Sequence, residues 1–103
     1  MSVQKNTTWI VTRHKGAQEF ILKSGFRGQH VAHLDIAKLS KGDRVVGNLP
    51  IHTAAQLNNL GVDYWHLCVT VDKAQRGQEL TAAMLKKMGA YIGQFSVTPR
   101  QIK

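Results

Sequence analysis

Segments rich in β-branched and aromatic residues alternate along this chain with segments whose apolar residues recur at helical spacing, and that alternation leaves few folds open. Residues 7–12 (Thr-Thr-Trp-Ile-Val-Thr) read as a buried strand that runs straight into Arg13-His14-Lys15-Gly16. Ala17, Phe20, Ile21 and Ser24 then share one helical face, and Gly25 suits a left-handed cap. A short strand is expected at about 30–34, followed by a turn or a single helical turn over 35–41 that ends in Gly42-Asp43. The next strand, 44–49, meets Pro50, whose fixed φ and missing N–H suit the first turn of a helix. Ile51, Ala54, Leu57 and Leu60 form that helix's stripe and Gly61 its stop. Residues 62–71 are the longest strand candidate and are expected at the centre of the sheet, with 72–78 as the loop behind it. Thr81 caps a third helix (Thr81, Met84, Leu85, Met88) stopped by Gly89, and 90–97 is the last strand.

A parallel crossover needs a dozen or so residues and usually contains a helix, so this order predicts helices packed on a mostly parallel sheet. The expected fold is a compact α/β, Rossmann-like domain of about five strands and about three helices, residues 1–103 as one unit. The link between Leu34 and Arg44 is short for a crossover, which leaves the strand order open. Hydrophobic residues at 43% and charged residues at 19% are a globular balance and exclude a disordered tail. No apolar run approaches the roughly 18 residues of a membrane span, and 1–8 lacks the apolar segment of a secretory signal. The expected compartment is cytoplasmic, without a membrane partner. Cys68 is the only cysteine, so no internal disulfide forms, and its apolar surroundings favour a packed thiol.

The formal net charge of +8, from 14 Lys and Arg against 6 Asp and Glu, concentrates polyanions around the protein. Nucleotides and nucleic acids head the list of partners; plain solubility competes, because the basic residues are scattered. In open α/β sheets ligands bind beyond the carboxyl ends of the strands, where helix N-termini point unpaired N–H groups. Three segments are expected there. Thr12-Arg13-His14-Lys15-Gly16 sets a hydroxyl, three possible cations and a glycine between a strand and a helix. Gly47-Asn48-Leu49-Pro50-Ile51-His52 brings an amide and an imidazole to a second such junction, and Arg76-Gly77 lies in the loop after the longest strand. None is a phosphate-loop or dinucleotide fingerprint. Each residue also has a purely structural reading: His14 as an exposed loop residue, Asn48 and Pro50 as strand stop and helix start, His52 as a surface position. Arg13 carries the strongest site reading, since an Arg held beside a helix N-terminus favours an anion.

His30, His33 and His66 fall within strand candidates and are expected to be structural. No zinc site is expected, because Cys68 and the His30-x-x-His33 spacing match no closed ligand set. Trp9, Trp65 and Phe20 are expected in the core rather than as stacking platforms.

Thr12-Arg13-His14-x-Gly16-Ala17, His33-Leu34-Asp35, Gly42-Asp43-x-Val45-x-Gly47-x-Leu49-Pro50 and Arg76-Gly77-x-Glu79-Leu80-Thr81 together resemble the CRISPR-associated Csx-type family numbered sixteen, small ancillary proteins of type III systems. The resemblance runs from about residue 8 to 97. It implies a fold related to CARF domains, a homodimer, and ring nuclease activity on the messenger cyclic tetra-adenylate. It does not assign catalytic residues; the matching positions lie around Arg13, His14, Asn48, Pro50 and Arg76, and His52 lies outside the matching motifs.

The leading expectation is a two-fold dimer whose strand-end loops share the cyclic ligand. A ribose 2′-hydroxyl serves as internal nucleophile, without metal or cofactor. Arg13 offsets phosphate charge and His14 or His52 transfers protons; Thr12, Gly16, Gly47, Asn48, Leu49, Pro50, Arg76 and Gly77 bind the ligand. A non-catalytic sponge for the messenger and a general RNA-binding module are the rivals, and no stable DNA complex is expected.

Overall fold

Thr8–Val11 forms the first strand, β1, and its two-residue period sorts Trp9 and Val11 to one side of the sheet and Ile10 to the other. A computed structural model describes residues 6–100. After β1 come α1 (Lys15–Lys23), β2 (Gln29–Val31), a 3₁₀ turn (Ile36–Lys38), β3 (Arg44–Gly47), α2 (Ile51–Asn59), β4 (Asp63–Cys68), α3 (Ala82–Lys87) and β5 (Tyr91–Phe95). The strands make one sheet in the order β2-β1-β3-β4-β5, parallel throughout except for β5, which pairs antiparallel with β4. The α/β, Rossmann-like expectation holds.

The order explains the layers. The chain steps one way across the sheet from β1 to β2 and the other way from β3 to β4, so crossovers of one hand put α1 and α2 on opposite faces. Ile21 of α1 packs with Ile10 and Val46, whereas Ala54 and Leu57 of α2 pack with Trp9, Val11, Val45 and Tyr64. The short link that left the order open crosses β1 with a single 3₁₀ turn, and Leu34 and Leu39 within it cover the α2 side of the sheet in place of a helix. Burying each of Ile10, Ile21, Val45, Val46 and Leu57 to within 1% of full coverage contributes about 1.5–3 kcal/mol.

Three local expectations change. β4 is not central: β3 is the middle strand, and β4 lies between β3 and the edge strand β5. The stripe of α2 is buried only at Ala54 and Leu57; Ile51 is 74% exposed and Leu60 45%, because the sheet reaches only the middle turns of the helix. Pro50 stands at the N-cap, with ψ 149, rather than inside the first turn.

Asp43, read from sequence as part of a turn, is a buried carboxylate that fixes the start of β3. It accepts hydrogen bonds from Thr7 N at 2.9 Å, the Trp9 indole Nε1 at 3.2 Å and Ser40 N at 3.0 Å. Burial pushes its carboxyl up, but the Thr7, Ser40 and Trp9 donors outweigh that and hold it below its ordinary 3.8.

Candidate functional site

The site lies where the strand order reverses. Beyond Val11 and Gly47, which pair in register, the chain leaves β1 toward α1 and leaves β3 toward α2 on the opposite face, opening a crevice at the carboxyl ends. Gly47 is needed here for close approach: a Cβ would lie 2.5 Å from the Val11 carbonyl oxygen. A cavity of about 390 Å³ opens at this point, with Thr12, Arg13, His14, Asn48 and Gln78 as its polar lining. Ile21, Leu67 and Leu85 supply an apolar floor. No Asp or Glu lines it among the described residues.

Both helices that begin beside the crevice leave their first N–H groups without a side-chain cap. His14 is the N-cap of α1 and Pro50 that of α2; neither caps, and neither helix has an acidic residue in its first turn. By contrast, α3 is capped by its own chain, Thr81 Oγ1 accepting from Met84 N at 3.1 Å. Thr12 Oγ1 instead accepts from His14 N at 3.0 Å, which sets the turn carrying Arg13 and His14 out of β1.

Two further residues join the site that the motifs did not single out as functional. Glu79, from the loop between β4 and α3, lies across from His14: Nδ1 is 3.1 Å from Oε1 and 3.4 Å from Oε2. His66, expected to be structural, stands at the end of β4 in the same row as Gly47, its Nδ1 2.6 Å from the Tyr64 hydroxyl and its Nε2 3.5 Å from Asn48 Nδ2. The Tyr64 oxygen accepts from Leu49 N at 2.8 Å, its hydroxyl also lies 3.4 Å from the Gly47 carbonyl oxygen, and the Asn48 amide donor faces His66 Nε2. Burial holds His66 below its ordinary 6.5 and pushes the Tyr64 phenol above 10.0, the Leu49 N–H working against the latter. His66, Cys68 and Tyr91 line a second hollow of about 320 Å³, and Asn48 belongs to both hollows. A strand position facing neighbouring strand ends is visible only once β3 and β4 are paired, so sequence spacing held no signal for His66; for Glu79 the signal was its place in a motif ending at a helix cap.

Of the expected residues, Thr12, Arg13, His14, Gly47, Asn48 and Leu49 converge on the first cavity. Gly16 allows close approach as expected, but of protein: a Cβ there would run into the Leu80 carbonyl, where the segment entering α3 crosses the first turn of α1. Pro50 sets the start of α2, while His52 is exposed on its first turn and does not line the cavity. Arg76 and Gly77 are exposed in the 73–77 turns; Gln78 and Leu80 of the same loop, not they, reach the cavity. His30 buttresses the site, its Nε2 2.8 Å from the Thr12 carbonyl oxygen. Trp9 is buried, and Trp65 packs edge-on to Phe26. Among the described residues no three His, Cys, Asp or Glu side chains gather as a metal set, and no helix is long and apolar enough to cross a membrane.

Fold and crevice together define a doubly wound α/β protein with a cavity of about 390 Å³, lined in part by Arg13 and His14, at its topological switch point. Residues 9–98 match the family described as "Putative CRISPR-associated protein (Cas_VVA1548)", and the chain belongs to that family. No curated protein and no solved structure matches the chain.

Proposed function

We propose that this CRISPR-associated protein is a ring nuclease that binds and opens cyclic tetra-adenylate, the cyclic oligoadenylate messenger of type III defence. The observation that carries the reading is the convergence of Arg13, His14 and Asn48 on one cavity flanked by two uncapped helix N-termini. Cations, an amide and free N–H groups around an apolar floor suit a ligand that alternates phosphates with bases. A cavity of about 390 Å³ is at the small end of the ~300–1,000 Å³ range of ligand sites and has room for about one nucleotide. A four-nucleotide ring therefore calls for more than one such cavity, which favours two copies of the chain arranged around a two-fold axis.

The chemistry needs few groups. A ribose 2′-oxygen attacks the adjacent phosphorus, the new P–O2′ bond forms as the P–O5′ bond breaks, and the products end in a 2′,3′-cyclic phosphate and a 5′-hydroxyl. Alignment of the hydroxyl contributes much of the rate. Arg13 and the N–H groups of α1 and α2 offset charge on the phosphate oxygens, His14 takes the 2′-proton, and the departing 5′-oxygen takes a proton from water to become the 5′-hydroxyl. His52, outside the cavity, has no part in it.

The decisive experiment incubates purified protein with cyclic tetra-adenylate in EDTA and separates the products by chromatography. Linear products ending in the cyclic phosphate are expected. An intact ring that nevertheless binds identifies a messenger sponge, and tighter binding of single-stranded RNA at matched salt identifies a general RNA-binding module.

A further inference from the structure

His14 and Glu79 are 65 residues apart in sequence and come from different loops, yet their side chains meet at the rim of the crevice. His14 makes no helix-capping bond with its side chain, and Glu79 is the hydrogen-bond partner of its ring among the described residues, the two side chains being 61% and 68% exposed. A carboxylate beside a site for anions works against binding, since it repels the phosphates that Arg13 attracts. Its presence there calls for a benefit realised elsewhere.

We infer that Glu79 is a positioning residue for His14. Its carboxylate accepts the Nδ1 proton, which selects the tautomer with Nε2 as the unprotonated nitrogen, available to a ligand in the cavity that His14 lines. An imidazole held in this way by a carboxylate is the arrangement by which an orienting group readies a base. The role rests on the ring-nuclease reading, and it makes the loop between β4 and α3 part of the reaction centre although Arg76 and Gly77 lie outside the cavity.

Two measurements test it. Long-range ¹H–¹⁵N spectra of the ligand-free protein at alkaline pH report the His14 tautomer directly. Nδ1–H is expected in the native chain and in Glu79→Gln, whose amide oxygen still accepts, and Nε2–H in Glu79→Ala. Steady-state turnover of cyclic tetra-adenylate should then show kcat reduced about 10- to 100-fold by Glu79→Ala with KM unchanged or lower, and largely restored by Glu79→Gln. Adding Glu79→Ala to His14→Ala should cost nothing more, because the pair acts as one unit. An Nε2–H tautomer in the native chain, or a loss carried by KM alone, overturns the inference. An intact ring together with the Nδ1–H tautomer overturns the nuclease reading instead and leaves the orientation of His14 standing.

Discussion

The Tyr64 hydroxyl lies 2.6 Å from Nδ1 of His66 while accepting the backbone N–H of Leu49 at 2.8 Å, so one buried oxygen joins the end of β4 to the loop that leaves β3. Tyr64→Phe keeps the ring's packing and strands both partners. The expected loss is about 1–3 kcal/mol, the range for leaving buried polar groups unpaired. Urea unfolding checks it: the midpoint should fall while the slope stays unchanged. A midpoint equal to the native chain's would mean that the bridge contributes nothing.

The His66 end of this bridge makes stability depend on pH. Burial holds the folded-state pKa of His66 below the 6.5 of the unfolded chain, so between those two values the unfolded state binds more protons. This contribution is therefore complete above about pH 6.5 and is lost progressively as pH falls through the folded-state value. Unfolding curves from pH 8 to 5 should show the decline, and His66→Gln should flatten it. Asp43, held below its ordinary 3.8, adds a separate loss only at still lower pH.

Gly16→Ala places a methyl group against the Leu80 carbonyl, a backbone atom that cannot rotate away. Overpacking of this kind costs about 1–3 kcal/mol, and here it must separate α1 from the segment leading into α3. Because Leu80 also lines the first cavity, ligand affinity should fall along with the unfolding midpoint. Gly77→Ala is the control: its φ of +82 is strained for Ala, but no neighbour stands within 4 Å, so stability should drop with little change in affinity.

Arg13→Ala should weaken binding of cyclic tetra-adenylate by about 1.5–3 kcal/mol, the range for hydrogen bonds to charged groups, and make affinity less sensitive to salt. Fluorescence titrations at several salt concentrations read both effects. His52→Ala should leave affinity and turnover within about two-fold of the native values, as befits a surface position on a helix.

Where fold and site were legible in the sequence, the information was local. The β1–α1 junction followed from Thr-Thr-Trp-Ile-Val-Thr running into a helical stripe, and the start and stop of α3 from Thr81 and Gly89, since caps and left-handed glycines act within a few residues. Arg13, His14 and Asn48 were placed at strand ends by the same local logic. What stayed hidden depends on pairings between distant segments. The reversal of β5 costs no local signal, because an antiparallel edge strand has the same composition as a parallel one. Asp43 looked like a turn residue because its donors, Thr7 and Trp9, lie more than 30 residues away in sequence. Ile51 fits the apolar stripe of α2, but how far a sheet extends beneath a helix is a property of the strands.

The bare starts of α1 and α2 have a practical consequence. Uncapped N–H groups attract negative charge, so the protein should melt higher when a fitting oxyanion is supplied, because whatever binds only the folded form raises the transition temperature. Millimolar sulfate, pyrophosphate and mononucleotides, ranked by the shift each produces, would outline the chemical taste of the crevice before its natural occupant is ever added.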